Sequence, residues 1–173
     1  MLKVSKTRTG TLPVSLDQAK AFLRVDGTAD DTLITDIISE AADLVEYYTA
    51  AAIAETTVTV EASARTYIEL PVKPINSITS VKDRDGNDIE YTFDGFYILF
   101  GPTEFSPTAP EQPEYVTTIT IYEAGYTTAP LGLVLGLKEV IAHLYENRGD
   151  DTGLINMLVQ NANLMPYRQK VWI

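Results

Sequence analysis

Residues 122–149 read YEAGYTTAPLGLVLGLKEVIAHLYENRG, and the fold turns on the change of period inside them. Up to Tyr122 the chain is β-branched and aromatic, with the two-residue repeat of a strand. Gly125 supplies a turn, and Pro130 suits the first position of a helix, where its missing N–H costs nothing. From there Leu133, Val134, Leu137, Val140, Ile141, Leu144 and Tyr145 recur at three- and four-residue spacing, an apolar stripe that ends at Gly149. Gly132 and Gly136 lie one turn apart and predict close backbone packing against another helix. A strand hands over to a helix here, so both periods belong to one fold.

Downstream, a shorter helix is expected over about 152–163, with Leu154, Ile155, Leu158 and Val159 inward. Pro166 breaks it and leaves YRQKVWI as a basic and aromatic tail. Upstream, residues 56–123 form short runs bounded by Pro and Gly: TTVTVEA, TYIEL, SITSVKD, DIEYTF, GFYILF and YVTTITIYEA. Asp85-Gly86-Asn87 and Asp94-Gly95 signal hairpins. Residues 101–114, GPTEFSPTAPEQPE, hold four prolines and read as an irregular exposed loop. The expectation is a meander of five or six strands in one small sheet.

The N-terminal part adds two helices. Ser15 and Gln18 form a capping box, Val14 and Ala19 are placed as a hydrophobic staple, and Gly27 is expected to stop the run. In the second helix Leu33, Ile34, Ile37, Ile38, Ala41, Leu44, Val45 and Tyr48 make one apolar face, with Thr28 as a candidate cap. Asp36, Glu40 and Asp43 run down the opposite side at the same spacing. Residues 1–12 are polar and basic and read as an extended or mobile arm. The expected class is therefore α+β: a four-helix core with an antiparallel β-strand insertion between helices two and three. It is read as one domain over 1–173, with an N-terminal helix pair at 13–50, strands at 56–123, a C-terminal helix pair at 128–165 and a tail at 166–173.

At 173 residues such a domain buries about 70% of its unfolded surface and needs no staple. It has no cysteine, which excludes disulfides, thiolate metal sites and cysteine nucleophiles. There is no signal-peptide pattern and no apolar run long enough to span a bilayer, so a soluble intracellular protein is expected. The net charge is −11. Residues 25–65 hold nine acids against one base, whereas residues 1–24 hold five bases against one acid. DNA affinity comes largely from Lys and Arg on phosphates, so tight binding to DNA is not expected of this chain.

No constellation here carries catalysis. His143 is the lone histidine, set beside an apolar stripe, and no nucleophile elbow accompanies it. Asp83, Asp85, Asn87 and Asp88 invite a calcium loop, but the glycine stands fourth instead of sixth and Asp94 replaces the twelfth-position Glu. An acidic hairpin turn explains them. Asp36, Glu40 and Asp43 fit a solvated face, a channel-facing stripe or, least well, a catalytic pair. Tyr167, Arg168 and Trp172 are residue types enriched in interface anchors, and a tail folded back on its own core is the competing reading.

The stretches YEAGYTTAP, HLYENRG and LMPYR resemble the head–tail connector (head-completion adaptor) family of tailed double-stranded DNA bacteriophages. LPVSLDQAKAFLRVDGTADDTLITDIISEAADLVEYYT is similar to that family's opening helices, and IELPVKPINSITSVKDRDG to its inserted strands. The resemblance implies a non-enzymatic virion neck protein without cofactor or metal. It implies a ring at roughly the portal's twelve-fold symmetry that passes DNA without binding it specifically and joins the head to the next neck or tail protein. On that reading Tyr167, Arg168, Lys170 and Trp172 dock on the portal, Asp36, Glu40 and Asp43 face the channel, and Tyr145, Glu146 and Arg148 lie at the subunit interface. The chain would reside at the head–tail junction of the virion, and in the host cytoplasm during assembly. Two alternatives stay open: a carboxylate-dependent hydrolase, and an acidic monomeric binding module.

Overall fold

A computed structural model describes residues 2–64, 66–100, 116–148 and 153–168. The chain divides into two compact units, one of residues 1–9 with 55–125 and one of residues 10–54 with 126–173.

The first unit is made of strands. Its larger sheet has the order β1-β2-β7-β4, from β1 (Lys3–Arg8), β2 (Thr56–Ala64), β4 (Ile75–Asp83) and β7 (Val116–Ala124). Every pairing in it is antiparallel. A smaller sheet, β3-β6-β5, joins β3 (Tyr67–Glu69), β5 (Tyr91–Phe93) and β6 (Tyr97–Phe100). The two-residue period sorts the faces. Val58, Val60, Ala62, Thr118, Thr120 and Tyr122 are buried, while Thr57, Thr59, Glu61, Ile119 and Ile121 between them are half-covered. Tyr122 carries its hydroxyl inside, where it accepts from the Val72 N–H at 3.0 Å and donates to the Val72 carbonyl at 3.3 Å. Burial pushes its phenol well above the ordinary tyrosine range.

The second unit is helical, with α1 (Leu16–Leu23), α2 (Asp31–Thr49), α3 (Leu131–Glu146) and α4 (Leu154–Gln160). Ser15 and Gln18 complete the capping box, at 3.3 Å and 3.1 Å. Ile34, Ile37, Ile38, Ala41 and Val45 of α2 meet Leu133, Leu137, Val140 and Ile141 of α3 in one apolar cluster, joined by Val14, Leu158 and Leu164. Glu46 is buried as well, because its carboxylate accepts the Ile53 N–H at 3.0 Å and so ties down the chain leaving α2.

The structure corrects the expected architecture. The class is α+β with four helices and seven strands among the described residues, but a single insertion into a helical core does not describe it. Residues 3–8, read as an arm, form β1 and extend the sheet along β2. An edge strand exposed on both faces needs few apolar residues, so it carries no burial signal. The strands also form two sheets. β4 pairs with β7 and β5 with β6, and across Asp85-Gly86-Asn87 only an isolated bridge, Lys82 to Asp88, links the two sides.

Several boundaries move too. α1 closes at Arg24 in the left-handed conformation (φ 57°), before Gly27. Asp30 holds the position before α2 without a side-chain cap, and Pro130 holds the same position before α3. α4 is short, and Ile155 and Val159, expected inward, are 74% and 49% exposed. The Pro-rich loop at 101–113 and Gly149 lie outside the described residues.

Candidate assembly surfaces

α2 presents two opposite faces. Ile34, Ile37, Ile38, Ala41 and Val45 are buried, and Asp36, Glu40 and Asp43 are all exposed one turn apart. Tyr47 continues the outward face and is 88% exposed. Like charges at this spacing cost a helix a few tenths of a kcal/mol, about 0.2–0.5 per pair. Asp36 and Glu40 have no partner among the described residues. The acids at the start of α2 are used differently. Lys20 of α1 donates to Asp31 at 2.6 Å and also to the Gly27 carbonyl, and Asp30 receives the Tyr145 hydroxyl at 2.6 Å.

Tyr145, Glu146 and Arg148 stand at the end of α3. Arg148 lies over the Tyr145 ring, 4.3 Å from its centroid, donates to the Tyr145 carbonyl at 3.1 Å, and reaches Asp30 at 3.6 Å. The hydrogen bond to the Asp30 carboxylate, with burial and the Asp30 charge behind it, holds the Tyr145 phenol above its usual range. This trio braces α3 against the start of α2. Glu146 points outward and is exposed.

Of the tail residues, Tyr167 and Arg168 are placed; Lys170 and Trp172 lie outside the described residues. Tyr167 covers Gly132, its hydroxyl 3.0 Å from where a Cβ would stand there. Leu164 covers Gly136, with its Cγ 2.6 Å from the corresponding position. The two glycines therefore receive the segment after α4, and the close approach they encode is to side chains, where the sequence pointed to a second helix. Arg168 stacks over Tyr48 at 5.2 Å. Glu139 fixes the same segment from α3, accepting from Asn161 at 2.8 Å and from Asn163 at 3.1 Å. Asn161 in turn accepts the N–H groups of Asn163 and Leu164. Glu139 and Asn161 escaped the sequence reading because isolated polar residues on an apolar helix read as surface.

The remaining candidates resolve into structure. Asp83 accepts from the N–H groups of Asp85 and Asn87 at 2.9 Å each and from the Asn87 side chain at 2.9 Å, which consumes its carboxylate in the turn. Those bonds, the Asn87 side chain first, lower its pKa. Asp94 closes the β5–β6 turn the same way, through Tyr97 and Phe96, and is lowered for that reason. His143 is half-buried beside Gly153, with Nδ1 3.4 Å from the Asn147 side-chain nitrogen. Its Nε2 has no hydrogen-bond partner among the described residues. Among those residues no group of His, Asp and Glu is placed to hold a metal, and no helix is long and apolar enough to cross a membrane.

Comparison with known proteins gives a consistent picture. Residues 13–92 match the model of the family described as phage gp6-like head-tail connector protein. The match covers α1, α2 and the strands as far as β5, so the resemblance is shown over the opening helices and inserted strands; the C-terminal stretches YEAGYTTAP, HLYENRG and LMPYR lie beyond it. No curated protein matches the chain. Solved structures match its whole length. A chain from the neck of an empty GTA particle, computed with C6 symmetry, has TM-score 0.70 and 16% identity, over 100% of this chain and 97% of its own. A chain from the virion of a native gene transfer agent particle has TM-score 0.67 and 17% identity, over 97% of each chain. One from the neck of a native GTA particle, computed with C12 symmetry, has TM-score 0.62 and 17% identity, over 96% and 97%. At these identities the likeness establishes a shared fold.

Proposed function

We propose that this chain is a non-enzymatic structural protein of the neck of a tailed phage or phage-like particle. Copies join into a ring beneath the portal, extend the DNA channel, and receive the next neck or tail protein. The observation that carries this reading is the head–tail connector match over residues 13–92. The whole-chain likeness to neck proteins supports it.

A closed ring, of about twelve copies at the portal's symmetry, needs one face of a subunit to meet a different face of its neighbour. Glu146 and Arg148 are both exposed at the end of α3, and Arg148 is already engaged in the brace, which leaves Glu146 as the freer interface candidate. Asp36, Glu40 and Asp43 face the channel, where negative charge repels phosphates and lets DNA slide. The segment from Tyr167 onward docks on the portal, using residues beyond the close contact of Tyr167 with Gly132. The whole chain acts as one connector unit, assembled in the host cytoplasm and retained at the head–tail junction.

Complementation tests the function. DNA-filled heads made without this chain should accumulate unjoined to tails, and added purified chain should restore joining. Normal tailed particles in its absence would sink the reading. Removing residues 167–173 should abolish attachment to portal-containing heads, and unchanged attachment would exclude the docking role of the tail.

A further inference from the structure

β1 is a long and regular open edge in an acidic protein. Its six residues keep an unbroken register against β2, from Lys3 opposite Glu61 to Arg8 opposite Thr56. The Thr9 N–H bonds to the Glu55 carbonyl at 2.9 Å in the same register, so the odd-numbered residues of β1 are the ones bonded to β2. The backbone groups of Val4 and Lys6 therefore point away from the sheet. No described strand pairs with them.

The other edges are guarded. β4 has register irregularities between Ile75 and Ser77 and between Ile78 and Ser80. Its far end is covered, with Ile89 donating to the Val81 carbonyl and Asp83 to that of Asn87, each at 2.9 Å. In the smaller sheet β3 and β5 are three residues long.

The side chains of β1 carry a second signal. Val4 pairs with buried Val60 and so lies on the face that β2 buries, yet it is 40% exposed, and Leu2 beside it is 56% exposed. Lys3 and Lys6 make no ion pair or hydrogen bond among the described residues. A shallow cleft of about 160 Å³, lined by Lys3, Ser5, Thr59, Glu61 and Ile119, opens at the same edge. The edge thus offers together free backbone groups, uncovered apolar side chains and two lysines outside any ion pair among the described residues.

We infer that β1 is a docking edge for an extended acidic segment of a different protein, which adds as a further strand beside Val4 and Lys6. Backbone bonds supply the affinity in such additions, and side chains select the partner. Carboxylates on the incoming strand meet Lys3 and Lys6, and an apolar residue covers Val4. A second copy of β1 fits less well, because its sequence KVSKTR brings no carboxylate to meet Lys3 and Lys6. Duplex DNA offers phosphate acceptors for the outward N–H groups, but its backbone has no donor for the Val4 and Lys6 carbonyls, so it cannot complete the ladder. The inference stands whether or not the chain forms a ring.

The test uses the full chain and short labelled peptides of alternating Val and Thr, one carrying Glu and its counterpart carrying Lys. The Glu peptide should bind, and hydrogen exchange at the Val4 and Lys6 amides should slow. K3E/K6E should weaken binding about tenfold or more. V4P should abolish it with an unchanged melting curve, since the N–H it removes bonds to nothing inside the fold. Equal binding of the Lys peptide, unchanged exchange at both amides, preferential binding of duplex DNA to β1, or pairing of two copies through β1 would each overturn the assignment.

Discussion

The helical unit and the strand unit are held together by different means. In the helical unit large aliphatic side chains fill one cluster, and side chains close over two glycines, Leu164 on Gly136 and Tyr167 on Gly132. In the strand unit the buried face mixes valines with Thr56, Thr118 and Thr120, and its largest fully buried side chain, Tyr122, is held by two hydrogen bonds to Val72. One unit should thus be sensitive to lost or added volume, the other to lost polar partners. The same difference governs their surfaces. α2 sets a charged stripe opposite a buried one, whereas the sheet leaves an edge.

Leu164→Ala should have the largest effect. It empties a fully buried site against α3 and should cost about 2–5 kcal/mol. Hydrogen-exchange mass spectrometry should show the loss of protection in residues 126–148 and 153–168, with β2 and β7 unchanged. Gly136→Ala comes next. Alanine gains about 1 kcal/mol of helix propensity over glycine, but its Cβ would sit 2.6 Å from Leu164 Cγ. Overpacking costs about 1–3 kcal/mol, so we expect net destabilisation by thermal melting. A stabilised variant would show that the segment after α4 yields easily.

Tyr122→Phe probes the other unit. It keeps the ring and strands the buried Val72 N–H, a loss of about 1–3 kcal/mol by denaturant titration. An effect below that of a conservative volume change such as Ile98→Val, about 0.5–1.5 kcal/mol, would break the contrast between the units.

The smallest effects come from pH, where alkali and acid act on different groups. Tyr145 has a raised pKa, so its contribution is present below about pH 10, the unfolded tyrosine value, and is lost as pH rises through the folded value. Asp83 and Asp94 have lowered values, so theirs is present above about pH 4 and lost as pH falls through the folded values. Alkaline melts should therefore weaken both units, through Tyr145 and Tyr126 in the helical one and Tyr122 in the strand one, with Tyr145→Phe reducing the helical part. Acid should first loosen the turns at Asp83 and Asp94, read as faster exchange there.

Much of this was legible in the sequence where one period dominates. The Ser15–Gln18 box, the apolar faces of α2 and α3 and all six strand runs after residue 55 are written as local patterns, and the structure keeps them. β1 was not legible, because a strand exposed on both faces has no alternation to read. The two-sheet arrangement depends on β4 choosing β7 over β5, a long-range pairing that turn residues do not specify. Ile155 and Val159 misled for the opposite reason: their spacing is that of a buried face, and a helix of seven residues buries mainly Leu158. Among the candidate surfaces, the outward stripe of α2 followed directly from spacing. The brace of Asp30, Tyr145 and Arg148 joins residues 115 apart and could not.

The ring is the central claim, and the number of copies at the neck tests it most directly. Light scattering on the purified chain, alone and with portal protein, followed by single-particle imaging of portal-containing heads, would count them. A closed ring of about twelve copies on the portal is expected. A chain that stays monomeric at every concentration, with portal present, and adds no density at the portal vertex would contradict it.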